Sequence, residues 1–98
     1  MNIIAVTACP TGIAHTYMAA ESLEKTGRAL GHQIKVETQG AMGIENELSD
    51  SEIAAADAVI FAVDIEVENR ERFEGKKIIE VPVKLAIKDP KGIFAKIG

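Results

Sequence analysis

The chain has 98 residues, 47% of them hydrophobic and 27% charged, with a formal net charge of −4, which is typical of one small globular domain. No basic run exceeds the pair Lys76 and Lys77, so the sequence lacks the footprint of a nucleic-acid-binding protein. A single cysteine excludes an internal disulfide framework and a Cys-rich metal site. No apolar stretch approaches the roughly 20 residues that span a bilayer, and we expect one cytoplasmic domain over residues 1–98.

The first predicted element is a strand over residues 3–8, an apolar run that ends at the turn residues Cys9-Pro10-Thr11-Gly12. A long helix is predicted next, ending near Gly31. The residues that recur every three or four positions and predict its buried stripe are Ile13, Tyr17, Ala20, Leu23, Gly27 and Leu30. On this pattern Tyr17 faces the core.

Residues 33–38 alternate between apolar and charged side chains, which predicts a half-exposed edge strand. Ile34 and Val36 share its buried face, and Lys35 and Glu37 share the exposed one. After a glycine-containing loop, Ser49 and Glu52 form the pattern of a capping box and predict a short helix over residues 50–56.

Residues 58–63 form a second wholly apolar run and predict a second central strand, closed by Asp64. The charged segment 66–75 predicts a short helix or turn, in which arginines 70 and 72 are interpreted as solvated, the alternative being contact with a partner's phosphate. Residues 77–81 predict a fourth strand, stopped by Pro82. Asp89 and Pro90 then have the pattern of an N-cap and a first helical position, and predict a last short helix.

The predicted order is β-α-β-α-β-(α)-β-α, which indicates a parallel sheet with right-handed crossovers. The two apolar strands are expected at the centre and the alternating strand at an edge. We therefore predict a single-domain three-layer αβα sandwich with a four-stranded parallel sheet in the flavodoxin-like order 2-1-3-4.

Cys9 lies at the predicted ligand site of such a sheet, beyond the carboxyl end of the first strand where the strand order reverses. The loop after it leads into a helix N-terminus, whose N–H groups and dipole favour an anion such as phosphate or a thiolate. Gly12 lets the backbone approach that anion closely. The pattern points to a nucleophilic thiolate, although a cysteine at a strand end can also be a small buried hydrophobe.

The string Cys9-Pro10-Thr11-Gly12-Ile13-Ala14-His15-Thr16 resembles the active loop of the fructose-type enzyme IIB domains of the bacterial phosphoenolpyruvate-dependent sugar phosphotransferase system (PTS). The resemblance continues in Tyr17-Met18-Ala19-Ala20 and Val36-Glu37-Thr38-Gln39-Gly40, in Ala56-Asp57 and Asp64, and in Arg72-Phe73-Glu74-Gly75-Lys76. It covers nearly the whole chain. Tyr17 is a departure, since Phe is expected there.

The resemblance implies that Cys9 is the catalytic residue. It would accept a phosphoryl group from a phosphohistidine of enzyme IIA and pass it to fructose, or a related hexose or hexitol, bound in the membrane enzyme IIC. The loop implied to bind the phosphoryl group comprises Pro10, Thr11, Gly12, Ile13, Ala14, His15 and Thr16. No cofactor or metal is expected. We expect a monomer, at the inner face of the membrane when docked on or fused to enzyme IIC.

His15 is expected to orient or neutralise the bound phosphoryl group, the alternative being an exposed residue of the first helical turn. Gln39, Gly40 and Gly43 also lie at the carboxyl end of the sheet, where they border the active loop or a partner, or simply form a connection. Asp64 ends the third predicted strand, where it shapes the loop or terminates the strand.

A cysteine-dependent phosphatase is the competing interpretation. The spacing of Cys9, His15 and Thr16 approaches the C-x5-R-[ST] pattern of low-molecular-weight tyrosine phosphatases, and Asp89-Pro90 echoes their acid-bearing dipeptide. However, the arginine of that pattern binds phosphate through two parallel hydrogen bonds, which histidine cannot do. A non-catalytic nucleotide-binding module is weaker still, because the glycine-rich nucleotide motifs are absent from the first turn.

Overall fold

The computed structural model describes residues 1–10, 13–40 and 43–97, which form a five-stranded sheet flanked by helices. The strands, in chain order, are β1 (Asn2–Ala8), β2 (Gln33–Gly40), β3 (Gly43–Glu45), β4 (Ala58–Val63) and β5 (Ile78–Val81). The helices are α1 (Ile13–Ala29), α2 (Asp50–Ala55), α3 (Val83–Lys88) and α4 (Pro90–Ala95), with a 3-10 turn at Arg70–Phe73.

The sheet has the order β3-β2-β1-β4-β5, and its four longer strands run parallel to one another. Their order confirms the predicted 2-1-3-4. The prediction of a purely parallel four-stranded sheet is wrong, because β3 adds antiparallel to β2. Strand β2 continues to Gly40, and the chain reverses so that Gly43 pairs with Gly40. Gly43 has φ +88°, a conformation that glycine adopts without the steric penalty of a side chain.

The core lies on both faces of the sheet because alternate residues of the central strands point to opposite sides. Along β1, Ile3 and Ala5 join a cluster that contains buried residues of α1, α3 and α4. Ile4 and Val6 join a second cluster, which contains Ile53 of α2. This two-sided burial explains why β1 and β4 are apolar throughout, and it gives the three layers of the predicted sandwich.

Helix α1 packs through part of the predicted stripe, since Ala20, Leu23 and Gly27 are buried as predicted. Its most buried side chains are Thr16, Ala19, Ala20 and Leu23. At Gly27 a Cβ would lie 3.1 Å from side-chain atoms of both Ile34 and Phe94, so the helix approaches its neighbours closely there. The predictions for Tyr17 and Leu30 are wrong, since these side chains are 40% and 48% exposed.

The capping box of α2 is confirmed. The Ser49 hydroxyl accepts the Glu52 N–H at 3.2 Å, and Glu52 accepts the Ser49 N–H at 2.8 Å. The Lys35 ammonium also donates to Glu52 at 2.7 Å, and these hydrogen bonds lower the pKa of Glu52 from 4.5 to about 2. Helix α2 ends one residue earlier than predicted, at Ala55.

The carboxyl-terminal region contains one helix more than predicted. Asp89 caps α4 by accepting the Gly92 N–H at 3.1 Å, and Pro90 occupies its first turn, as predicted. Between Pro82 and Asp89 the chain forms α3, a six-residue helix that the sequence pattern does not reveal. Its first N–H, that of Val83, donates to the carboxylate of Asp64 at 3.2 Å. Because this cap comes from a distant residue, no local signal marks the helix.

Candidate active site

Cys9 follows β1 directly, at the carboxyl end of the sheet. The register places the preceding Ala8 between Gln39 of β2 and Val63 of β4, so Cys9 lies at the predicted reversal of strand order. Cys9 is only 6% exposed and belongs to the core cluster on the α1 side of the sheet. The residues of β1 that share its face are Ile3, Ala5 and Thr7, and all three are buried.

Helix α1 begins at Ile13, four residues after Cys9, and its first turn contains Thr16. No acidic residue occurs in that turn, so nothing in it neutralises the positive end of the helix dipole. The hydroxyl of Thr7 in β1 donates to the Thr16 carbonyl at 3.2 Å and ties the helix start to the central strand. Thr16 is buried, whereas Ala14 and His15 are exposed. An anion near Cys9 can therefore be met by a helix end that the fold holds in place.

The predicted phosphate loop is described in part. Pro10 is exposed next to Cys9. Thr11 and Gly12, predicted to bind the phosphoryl group, lie outside the described residues, as does the side chain of Ile13. His15 is exposed in the first turn of α1, and its contribution to phosphoryl binding stays a prediction.

Cys9 opens into a cleft of about 360 Å³ between the ends of β1, β2 and β4. Its described lining residues are Cys9, Pro10, Gln39, Gly40, Ile65, Glu66 and Glu68. The structure therefore brings predicted Gln39 and Gly40 together with the thiol. Two carboxylates and no cationic side chain are among these described lining residues, so we expect N–H groups and the helix dipole to compensate the charge of any bound anion.

Gly43 and Asp64, also predicted near the site, are not among the lining residues of the Cys9 cleft. Gly43 begins the short edge strand β3. The Asp64 N–H donates to the Ala8 carbonyl at 2.9 Å and its carboxylate accepts the Val83 N–H at 3.2 Å. Its observed hydrogen bonds thus cap α3 and extend the β1–β4 pairing, in agreement with a strand-terminating role.

A buried carboxylate supports the cleft from the side of β2. Glu37 is 0% exposed, which contradicts its predicted place on an exposed face. Its two oxygens accept from the Arg72 guanidinium, each at 2.9 Å. One oxygen also accepts the Leu48 N–H at 2.9 Å, and the other accepts from the Gln39 amide at 2.7 Å. Burial alone raises the pKa of Glu37, but the hydrogen bonds from Arg72, Leu48 and Gln39 outweigh it and lower the pKa below 4.5.

The prediction that Arg72 is solvated is therefore wrong, since its side chain is 14% exposed and paired with Glu37. The Arg72 guanidinium also donates to the carbonyls of Asn69 and Glu68, at 2.9 and 3.2 Å. Arg70 is closer to its prediction: it is half exposed and pairs with Glu80 at 3.2 Å. Neither arginine is among the lining residues of the Cys9 cleft.

Sequence reasoning missed the wall of the cleft formed by residues 65–68. A usable signal existed, because this segment follows a central strand at the carboxyl end of the sheet, next to Cys9. The pairing of Glu37 with Arg72 had no such signal. The two residues are 35 positions apart, and the alternation in β2 assigns Glu37 to solvent.

The described residues contain no helix long and apolar enough to cross a bilayer. Within the same ranges, no three His, Cys, Asp or Glu side chains are grouped so that they could hold a metal ion.

Comparison with known proteins identifies the family. Residues 4–96 match the family described as "PTS system, Lactose/Cellobiose specific IIB subunit". The "PTS system fructose-like EIIB component 2" of Escherichia coli K12 is 54% identical over 98% of this chain and 91% of that protein. The "PTS system fructose-specific EIIABC component" of Bacillus subtilis is 51% identical over 97% of this chain, which corresponds to 15% of that longer protein.

Solved structures agree with the sequence comparison. A domain of the fructose-specific IIABC component of Borrelia burgdorferi superposes with a TM-score of 0.93 at 46% identity, covering 97% of this chain and 90% of that domain. An arsenate reductase in a phosphate-binding state has a TM-score of 0.56 at 14% identity over the full length of both chains, and shares the fold alone. The chain belongs to the enzyme IIB family of the sugar phosphotransferase system, in which it is a phosphoryl carrier of the fructose-like type.

Proposed function

We propose that Cys9 is the residue that carries the phosphoryl group, and that residues 1–98 act as a single fructose-type enzyme IIB domain. Cys9 accepts the phosphoryl group from a phosphohistidine of enzyme IIA and holds it as phosphocysteine. It then transfers the group to a sugar bound by the membrane enzyme IIC. The observation that carries this proposal is the position of Cys9, the only cysteine, at the switch point of the sheet and at the mouth of a cleft.

The proposed transfer consists of two displacement steps at phosphorus. In the first, the Cys9 thiolate attacks phosphorus, the S–P bond forms, and the P–N bond of phosphohistidine breaks with its electron pair on the imidazole. In the second, a sugar hydroxyl attacks phosphorus, loses its proton, and displaces the Cys9 thiolate. Phosphoryl transfer needs alignment and charge stabilisation more than covalent chemistry from the protein.

The described part of the site supports this chemistry. Thr16, with its hydroxyl, and the first N–H groups of α1 lie in a helix start fixed to β1 through Thr7. We propose that the loop from Pro10 to Thr16 binds the phosphoryl oxygens through backbone donors after Pro10, which has no N–H of its own. His15, exposed in the first turn, is proposed as an additional donor.

Fructose is the proposed sugar, because relatives that are at least 50% identical to this chain are named fructose-like or fructose-specific. The proposed partners are an enzyme IIA and an enzyme IIC, since the name EIIABC of the Bacillus subtilis relative includes components A, B and C in one protein. We propose that the domain works as a monomer in the cytoplasm, at the inner face of the membrane when it meets enzyme IIC.

The decisive experiment is the intact-protein mass after incubation with phosphoenolpyruvate, enzyme I, the histidine carrier protein and a fructose-type enzyme IIA. We expect a gain of one phosphoryl group that requires enzyme IIA and is lost in Cys9→Ser. Subsequent addition of membrane vesicles with a fructose-type enzyme IIC should discharge the group onto fructose.

Two results would contradict the proposal. Full phosphorylation of the Cys9→Ser variant would remove Cys9 from its role. No phosphorylation by several fructose-type IIA proteins, together with steady hydrolysis of an aryl phosphate, would favour the phosphatase interpretation instead.

A further inference from the structure

One wall of the Cys9 cleft is a loop with two distinct anchors. Residues 65–68 leave the end of β4 and pass the thiol, with Ile65, Glu66 and Glu68 among the lining residues. The first anchor is Val67, which is 4% exposed and packs in the core cluster on the α2 side of the sheet. The second anchor is polar and acts on the backbone of Glu68.

This second anchor is the side chain of Gln39. Its carbonyl oxygen accepts the Glu68 N–H at 2.8 Å, and its amide group donates to the Glu68 carbonyl at 3.2 Å. The amide therefore pairs with the loop as a neighbouring strand would, satisfying a donor and an acceptor of one residue. Gln39 is 3% exposed, so water does not readily replace these bonds.

The orientation of Gln39 is itself fixed. Its amide nitrogen donates to Glu37 at 2.7 Å, and a carboxylate can only accept, so the amide cannot turn over without losing this bond. Glu37 is held in turn by the two-pronged ion pair with Arg72. Arg72 also donates to the Glu68 carbonyl at 3.2 Å, which closes the network on the same loop residue.

We propose that Gln39 is a positioning residue that holds the wall 65–68 over Cys9 and thereby limits the access of water to phosphocysteine. The Glu37–Arg72 pair supports it by fixing its amide. The protection of phosphocysteine from water rests on the proposed function, whereas the control of access to the Cys9 thiol does not.

The physical reason is that a carrier must not lose its phosphoryl group to solvent. In hydrolysis, a water oxygen attacks phosphorus, the S–P bond breaks, the thiolate leaves and inorganic phosphate departs, with the water proton released to solvent. Cys9 is 6% exposed, and a wall that lines the same cleft restricts the approach of water to its sulfur. Opening of the wall exposes the sulfur and the group bound to it.

The test compares Gln39→Met with the wild type and with Asp89→Ala. Methionine is close to glutamine in length but makes none of the three hydrogen bonds. Asp89→Ala removes the cap of α4, outside the cleft lining, and serves as a control for a general loss of stability. Each protein is alkylated with iodoacetamide, a neutral reagent whose approach is insensitive to Glu66 and Glu68, over a range of pH.

The alkylation rate at the high-pH plateau reports access to the sulfur, while the midpoint reports its ionisation. We expect Gln39→Met to raise the plateau rate about tenfold, because two loop hydrogen bonds are lost from the closed state. Asp89→Ala should leave the plateau near the wild-type value. An unchanged plateau in a folded Gln39→Met protein would overturn the proposal.

Val67→Ala provides a second route to the same wall. It loosens the apolar anchor without touching the polar network, and it too should raise the plateau rate above that of Asp89→Ala. If Gln39→Met does not fold, this variant decides the question: a plateau equal to the wild type shows that the wall does not control access to Cys9.

The phosphocysteine lifetime then separates the two proposals. Proteins charged by a fructose-type enzyme IIA are transferred to buffer, and the loss of the phosphoryl group is followed by intact mass. Gln39→Met and Val67→Ala should shorten the lifetime by a similar factor, while Asp89→Ala should not. A wild type that takes no phosphoryl group refutes the proposed function, but the alkylation rates still test the wall. Raised alkylation with an unchanged lifetime refutes the shielding of phosphocysteine.

Discussion

Replacing Glu37 by glutamine should destabilise the domain far more than its small change in shape suggests. Each carboxylate oxygen of Glu37 accepts two hydrogen bonds, one from Arg72 and one from a second donor. The second donors are the Leu48 N–H and the Gln39 amide. Whichever way the new amide points, its NH2 group faces two donors. Only a carboxylate satisfies this site.

The magnitude follows from burial. Glu37 is 0% exposed and the Arg72 side chain 14%, so the variant leaves unpaired donors in a nearly dry environment. Losing one partner of such a pair while leaving the other buried is expected to reduce the free energy of unfolding by about 3 kcal/mol. For a domain of this length, that change lowers Tm by about 15 °C. Circular dichroism during heating measures it.

Glu52→Gln is the matched control. Glu52 also pairs with a lysine and a backbone N–H, but a single oxygen of its carboxylate accepts both bonds. An amide oxygen can take that place, and the NH2 group can point to solvent. We expect Tm to change much less than in Glu37→Gln. Equal and small changes in the two variants would refute the argument from donor and acceptor geometry.

The remaining predictions concern pH, transfer and helix capping. Glu37 and Glu52 both have folded-state pKa values below 4.5, so the stability that they contribute is fully present above that pH and is lost as the pH falls through the folded values. In urea unfolding, the free energy of unfolding should therefore fall less between pH 7 and pH 3 in either glutamine variant than in the wild type. His15→Ala should slow phosphoryl transfer from enzyme IIA by about tenfold, because one hydrogen-bond donor is lost from an exposed site. An unchanged single-turnover rate would show that His15 is an exposed residue with no role in the transfer. Ser49→Ala should lower the free energy of unfolding by about 1 kcal/mol through loss of the α2 cap, while Ser51→Ala, its neighbour, should have a smaller effect in the same denaturant titration.

Much of the fold could be predicted because β1 and β4 are apolar throughout and buried on both faces. That pattern distinguishes central from peripheral strands, and with alternating helices it leads to the observed order of the parallel strands. The missing elements are short. Strand β3 has three residues and α3 has six, too few for a period to be recognised, and α3 takes its cap from distant Asp64.

The predicted stripe of α1 is confirmed at Ala20, Leu23 and Gly27 and wrong at Tyr17 and Leu30. The prediction rested on a spacing of three or four residues, which also placed these two large side chains in the core. In the structure, the small residue Ala19 joins the buried face, and Gly27 allows the helix to approach Ile34 of β2 closely. Tyr17 instead donates a hydrogen bond from its hydroxyl to Glu45 of β3. Apolar spacing locates a helix more reliably than it selects which side is buried.

For the candidate site, the rule for parallel sheets located Cys9 but could not show how its surroundings are charged. The alternation of β2 placed Glu37 in water, and the rule that charged segments are usually solvated placed Arg72 there. Their contact joins residues 35 positions apart, so only the assembled sheet shows that Arg72 is committed to Glu37, Asn69 and Glu68. An arginine engaged in this way is not available to bind a phosphoryl group as the arginine of a phosphatase does. The described lining of the Cys9 cleft includes no cationic side chain, so the proposed phosphate site relies on the helix N-terminus, the loop backbone and His15.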